Sequence, residues 1–517
     1  MASASIPASD HRYRTAGIVA AIARKPLWPA LALVAAIVSV RACGSVDADV
    51  SWQLWVAHQL NGGARLYRDV VEGNPPLWFW MGMPVDALAQ LTHVRSDHVL
   101  IALVGCCAAL SLAATDRLLR AMPERRRALL LAYAALVLVA MPWLQFAQRE
   151  HIALIGALPY AALIAARRNG RVASVSLALL VGAGAALGFA LKHYFLLVPI
   201  SLELWLAISL RKAWRPFRPE TIAVAAVGIV YAAAFAFFAP DYFSVTLPML
   251  ILAYGATGAE RAIDLFQPAV LTGLATLALL IAFRGTLRSE RTGIAAALIV
   301  AAIAFAAAYF IQSKGWSYHA VPLAGCAAIA LAASLTAEQK PRFMALAAPA
   351  LLLLPLWIGA QQAMRHQETS PDVLQAVAGL HPGDSVAFIG TDPAFGWPVT
   401  LQRGFRYPSR YSSFWMMRAV VKNEAAGGAN AGLAEFGRRA VRETVEDFRC
   451  DPPKRIIVAR PPVASSGEFD ILAFFHRDPE FSRLLAHYRP IQRTSVETFE
   501  LAAPLGRTGS CIRRAED

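Results

Sequence analysis

Eleven apolar stretches of about the length needed to cross a bilayer, each almost free of charge, follow one another through the first 360 residues. They run roughly 26 to 45, 98 to 115, 128 to 147, 151 to 166, 172 to 190, 194 to 210, 221 to 239, 266 to 283, 292 to 311, 319 to 336 and 343 to 360. In hydrocarbon every backbone polar group must be satisfied within the chain, so such stretches fold as helices and pack as a bundle. Composition supports this: 57% of the residues are hydrophobic and only 16% are charged, which excludes an ordinary cytosolic enzyme.

The loop charges predict an orientation, because Lys and Arg are retained on the cytoplasmic side. With the N-terminus inside, the inner segments carry 21 basic residues, among them Arg117, Arg120, Arg125 to Arg127, Arg167, Arg168, Arg171 and Arg211 to Arg218. The outer loops carry eight: Arg41, Arg65, Arg68, Arg95, Arg149, Lys192, Arg261 and Lys314. Residues 1–25 then form a cytoplasmic tail, 26–360 a transmembrane domain, and 361–517 an external domain, periplasmic in a bacterial inner membrane. The net charge of +14 follows this division: 29 basic and 17 acidic residues fall in the first 360, 20 and 18 in the remainder. No Lys/Arg run alternates with aromatics, so nucleic acid is not expected as a partner; the bilayer is. No cleavable signal peptide fits, and the first helix is expected to remain.

In the tail, Ser385 to Gly390, Arg455 to Ala459 and Arg493 to Leu501 look like strands, with helical stretches near 413 to 448 and 469 to 487. That alternation predicts a small α/β domain. It has neither a phosphate-binding glycine loop nor a Ser/His/Asp pattern placed for hydrolysis. The fold class expected is thus mainly α: a polytopic membrane helix bundle of about 11 spans, a long first external loop carrying interfacial helices, and a C-terminal α/β periplasmic domain. Cys43, Cys106, Cys107 and Cys326 read as packing residues; pairing of Cys450 with Cys511 is open.

Charge beside hydrocarbon is costly, which makes it a functional candidate. Four clusters fall on the outer face: the loop from Asp47 to Asp97, with Asp49, Tyr67, Arg68, Asp69 and Glu72; Gln148-Arg149-Glu150-His151; Lys192-His193-Tyr194; and Gln312 to His319, with Lys314, Trp316 and Tyr318. Cationic side chains in very short loops that should be poor in them suggest an anionic ligand. Trp52, Trp55, Trp78 and Trp80 read as interfacial anchors.

The acidic residues after the first span, "LNGGARLYRD", "NPPL", Glu150, "GFALKHYFLLVP" and "KGWSYHAVP" resemble the polytopic glycosyltransferases of the C superfamily, in particular bacterial relatives of protein O-mannosyltransferases and of the transferase that adds aminoarabinose to lipid A. The resemblance covers residues 26 to 360, and "RYPSRYSSFW" extends it loosely into the tail. It implies a polyprenyl-phosphate-linked sugar donor and a cell-envelope acceptor, whether glycan, lipid or protein. Many relatives have Asp followed by Glu or Asp, where this chain has Asp47-Ala48-Asp49-Val50. Asp49 is the preferred base because Ala57 then stands where relatives have a small residue, and Asp47 stays open.

The chemistry asks for the same parts: a carboxylate to take the acceptor proton, and fixed positive charge at the leaving phosphate. Asp49 or Asp47 is the catalytic candidate. Lys192, Arg149, Lys314 and His319 are the phosphate-binding candidates, and Glu150, His193, Tyr318, Arg68 and Asp69 the supporting ones. One carboxylate and no second nucleophile implies inversion. No cluster demands a metal or another cofactor, although Asp47 and Asp49 would suit a divalent cation. The alternatives are a non-catalytic membrane scaffold and a lipid-linked-sugar binder or transporter with a periplasmic binding domain; a transporter would call for mid-membrane charges and repeated halves.

Overall fold

The computed structural model describes residues 25–257, 262–284, 293–335, 342–364, 369–460, 469–503 and 505. The chain forms two compact units that alternate along the sequence. One comprises Met1–Gly44, Ile101–Val230 and Glu260–Met364, the other Ser45–Leu100, Tyr231–Ala259 and Arg365–Asp517.

A helix forms within each of the eleven apolar stretches, from Leu27–Arg41 to Arg342–Met364. Among the described residues, six segments are long and apolar enough to cross a membrane: Ser96–Leu118, His193–Ala213, Pro219–Phe238, Ile294–Gln312, Ser317–Leu335 and Leu346–Met364.

In the first unit, Arg149–Arg168 and Val321–Leu335 are buried along nearly their whole length, and Ile294–Gln312 along most of it. By contrast, Pro219–Phe238 buries only Glu220 and Ala223, leaving an apolar surface suited to hydrocarbon. Small residues let the central helix meet Val175–Ala190 closely. A Cβ on Gly156 would lie 3.1 Å from the Ala185 Cα, and one on Gly188 would lie 3.2 Å from the Ala153 Cα. Pro159 interrupts the central helix and has no N–H for the Ile155 carbonyl. The Ser111 hydroxyl donates to that carbonyl at 2.7 Å, so the proline leaves no buried orphan.

The second unit contains a four-stranded sheet, with β1 Val386–Ile389, β2 Arg455–Ala459, β3 Tyr488–Arg493 and β4 Val496–Leu501 in the order β1-β2-β4-β3. β1 and β2 are parallel (Val386 opposite Arg455), while β4 runs antiparallel to both β2 and β3. The last strand expected near Arg493 to Leu501 is β4, and β3, which was not expected, precedes it to complete a hairpin. The helix Ala431–Cys450 makes the β1 to β2 crossover; its stripe of Leu433, Phe436, Ala440, Val441, Val445 and Phe448 is buried against Ile389, Val458 and Phe499. Met249, Leu250 and Ala253, on the unexpected helix Leu247–Thr257, join this core.

The two helices expected in the first loop form, as Ala48–Asn61 and Leu77–Thr92, but three of their tryptophans are not surface anchors. Trp52, Trp55 and Trp78 are 7%, 5% and 3% exposed. Trp55 lies 5.8 Å from the Trp397 ring and 5.5 Å from Tyr407, so aromatic packing within the unit takes up its surface. Trp80 is half-buried and packs edge-on against Tyr231 and Phe238. Cys43, Cys106, Cys107 and Cys326 are free thiols, Cys450 is disulfide-bonded, and Cys511 lies outside the described residues.

Candidate functional site

Four chain segments of the first unit converge on one ion-pair cluster. Glu150 occupies the first turn of Arg149–Arg168, where the positive end of the helix dipole favours a carboxylate. Lys192 is the extended residue before the short turn His193–Leu196. Gln312 ends Ile294–Gln312, and His319 lies in the turn Ser317–Ala320 that leads into Val321–Leu335.

The Lys192 ammonium donates to Glu150 Oε1 at 2.5 Å and to Gln312 Oε1 at 3.2 Å, and it stands 2.8 Å from His319 Nε2. An ammonium only donates, so His319 Nε2 is the acceptor and the imidazole proton resides on Nδ1. Glu150 is fully buried and His319 is 4% exposed. Among the described residues, Glu150 Oε2 and His319 Nδ1 have no hydrogen-bond partner. The buried pair therefore carries one unsatisfied acceptor and one unsatisfied donor, each costly to leave so. Lys192 also sits 5.5 Å over the Tyr318 ring, and Arg149 and Lys314 contribute positive charge close to Glu150 and His319 respectively.

Two residues in left-handed backbone conformations flank the cluster. Ala147 has φ 66° and Ser313 has φ 47°. His151 holds the first: its Nδ1 accepts the Ala147 N–H at 3.0 Å, which leaves Nε2 as the protonated nitrogen donating to the Leu138 carbonyl at 2.6 Å. His151 is thus a structural histidine, and the ring of exposed His193 lies tilted against that of Tyr194, with centroids 3.8 Å apart.

Asp47 and Asp49 belong to the second unit. Asp47 caps Ala48–Asn61, with Oδ1 accepting the Ala48 N–H at 2.7 Å, and Asp49 lies in the first turn. Arg68 makes a two-pronged pair with Asp241 at 2.6 and 3.0 Å, and Asp69 pairs with Arg65 at 3.0 Å. Both pairs order the loop. Among the described residues no group of three His, Cys, Asp or Glu side chains is arranged to hold a metal ion.

Two further polar sets lie in the second unit: one on Glu72, named from the sequence in the first loop without a role, and one on Asp86, which was not singled out from the sequence. Glu72, 4% exposed, accepts from Trp52 Nε1 at 2.9 Å and from the N–H groups of Gly73 and Asn74 at 2.7 and 3.0 Å. Asp86 accepts from Asn61 at 2.7 Å and Gln90 at 2.6 Å and stands 3.1 Å from His58 Nδ1. Burial alone would raise the Asp86 carboxyl, but the bonds from His58, Asn61 and Gln90 outweigh it and hold the group below its ordinary value. The spacings His58/Asn61 and Asp86/Gln90, i,i+3 and i,i+4 on two helices, were the available signal. Glu203, isolated in an apolar stretch, is paired with Arg218.

No family model matches the chain, and no characterised protein matches it by sequence. Solved structures do. The crystal structure of ArnT from Cupriavidus metallidurans bound to undecaprenyl phosphate aligns with a TM-score of 0.54 and 11% identity, over 93% of this chain and 98% of that one. A looser likeness is to the oligosaccharyltransferase AglB from Archaeoglobus fulgidus, in complex with an inhibitory peptide and a dolichol-phosphate: TM-score 0.39, 13% identity, 84% of this chain and 69% of that one. The chain shares the fold of that ArnT structure over nearly its whole length.

Proposed function

We propose that the protein is an inverting glycosyltransferase that moves a sugar from a polyprenyl-phosphate donor to a cell-envelope acceptor at the outer face of a bacterial inner membrane. The observation that carries this reading is the Glu150–Lys192–His319 cluster, a buried set with one free acceptor and one free donor, in a chain whose fold is that of an enzyme solved with undecaprenyl phosphate.

In this reading the acceptor oxygen attacks the anomeric carbon as its proton passes to Asp49, and the bond from that carbon to the phosphate oxygen breaks, the electron pair leaving with the phosphate. Lys192, with Arg149, Lys314 and His319 near it, meets the charge that develops on the leaving group. Glu150 holds the Lys192 ammonium in place. Since Lys192 already donates to Glu150 and Gln312, the phosphate must compete for it, and His319 Nδ1–H offers a second donor. The eleven helices serve as eleven crossings, N-terminus inside and C-terminal domain outside, as the basic loops favour.

The test is transfer by the purified full chain. Incubated with short-chain polyprenyl-phosphate sugars and envelope extracts, it should release free polyprenyl phosphate only when an acceptor fraction is added. Binding of the donor without any release under those conditions would instead support a lipid-linked-sugar binder. A reporter fused after Ile389 should be active outside the cytoplasm, and activity inside would reverse the topology.

A further inference from the structure

At the far end of the helix that carries Glu150, near Ala166, lies a cavity of about 720 Å³. Sixteen residues separate the two positions, or about 24 Å along the axis, so the cavity is distinct from the Glu150 cluster. Three arginines line it: Arg117 at the end of Ser96–Leu118, then Arg120, and Arg171 from the loop before Val175–Ala190.

Among the described residues these three have no carboxylate partner, although carboxylates are at hand for their neighbours. Arg127 pairs with Asp116 at 2.9 Å, and Arg167 with Glu220 at 2.9 Å. Ser174 and Ser176 add hydroxyls at the start of Val175–Ala190, where unsatisfied N–H groups and the helix dipole favour an anion. The remaining wall is apolar. It includes Leu177 and Leu180, and Leu180 is 72% exposed on an apolar helix.

We propose that this cavity holds the head group of an anionic phospholipid. A free phosphate would satisfy the arginines and serines but leave the leucine wall without a partner. A phospholipid places its phosphate among the arginines and the start of its acyl chains along Leu177 and Leu180, and basic pockets between membrane helices recognise lipids in this way. The volume falls within the range of roughly 300 to 1,000 Å³ that ligand sites occupy. The site is independent of the glycosyl-transfer reading.

The experiment is native mass spectrometry and thermal unfolding of the full chain in non-ionic detergent, with phosphatidylglycerol, phosphatidylethanolamine or inorganic phosphate added. The wild type should retain phosphatidylglycerol and melt higher in its presence, and do neither with the other two. Arg117→Ala/Arg120→Ala/Arg171→Ala should bind phosphatidylglycerol on the order of 100-fold more weakly, at about fivefold per basic side chain. Arg125→Ala/Arg126→Ala, outside the cavity, should bind as wild type. Replacement of the three arginines by lysine keeps the charge and should keep most of the binding, which reads the site even if the alanine variant fails to fold. Undiminished binding by the folded alanine variant, loss of binding in the Arg125/Arg126 control alone, or equal protection by phosphatidylethanolamine or inorganic phosphate would overturn the proposal.

Discussion

Lys192 and Glu150 are joined at 2.5 Å although 42 residues separate them, and the carboxylate is wholly buried. A buried pair is only weakly stabilising as a whole, but removal of one partner leaves an uncompensated charge. Lys192→Ala should therefore destabilise the protein by roughly 3 to 5 kcal/mol. Lys192→Ala/Glu150→Gln should recover much of that loss. Thermal unfolding of the single and double variants checks this, and equal losses in both would show that the pair is not the cause.

The two aspartates of the first loop should separate by assay. Asp49→Asn, if Asp49 takes the acceptor proton, should lose roughly 100-fold or more in turnover while retaining stability. Asp47 caps the helix, so Asp47→Ala should cost about 1 kcal/mol of stability, and Asp47→Asn, a good capping residue, much less. Parallel kinetics and melting curves distinguish these outcomes; a dead Asp47→Asn protein beside a fully active Asp49→Asn one would exchange the roles.

Two glycines of one helix should respond oppositely to the same change. A Cβ on Gly182 would lie 2.6 Å from the Glu220 carbonyl oxygen and 2.9 Å from its Cα, whereas one on Gly184 meets nothing within 4 Å. Gly182→Ala should destabilise by about 1 to 3 kcal/mol, and Gly184→Ala should be neutral or stabilise by up to about 1 kcal/mol. Melting temperatures in one detergent decide it.

Acid should weaken the Asp86 set. Its folded carboxyl lies below the ordinary value of 3.8, so folding favours the ionised form. That contribution is complete above 3.8 and disappears as the pH falls through the lower folded value. Asp86→Asn should be less stable than wild type at neutral pH, and the gap should close on acidification below 3.8. A gap independent of pH would assign the effect to packing.

The helices and their order were legible in the sequence because a lipid solvent imposes long uncharged runs that nothing else in this chain imitates. Strands β1 and β2 were legible for a similar reason, as short apolar runs between turn residues. The last strand, β4, was legible as the alternation toward Leu501, but β3 before it was not: Pro490 interrupts its pattern, and only pairing with β4 shows it to be a strand. The eleven-residue helix Leu247–Thr257 is short for a span, and its place in the second unit's core depends on residues 417 to 448. Trp55 read as an interfacial anchor because its partners, Trp397 and Tyr407, are more than 300 residues away. The candidate residues Glu150, Lys192 and His319 were visible as charges at helix ends. Their joint hydrogen bonding was not, since it depends on how four segment ends meet.

The enclosure of Arg149–Arg168 on all sides has an evolutionary consequence. Nearly every side chain from Arg149 to Ala166 touches a neighbouring helix, and Pro159 relies on Ser111, so substitutions there must be matched by changes in Val175–Ala190, Ile294–Gln312 or Val321–Leu335. Pro219–Phe238, which meets so little protein, can exchange one apolar residue for another without a matching change. As homologues diverge, the central helix should change slowly and in step with its neighbours, while the outer helix should drift in identity and keep only its hydropathy.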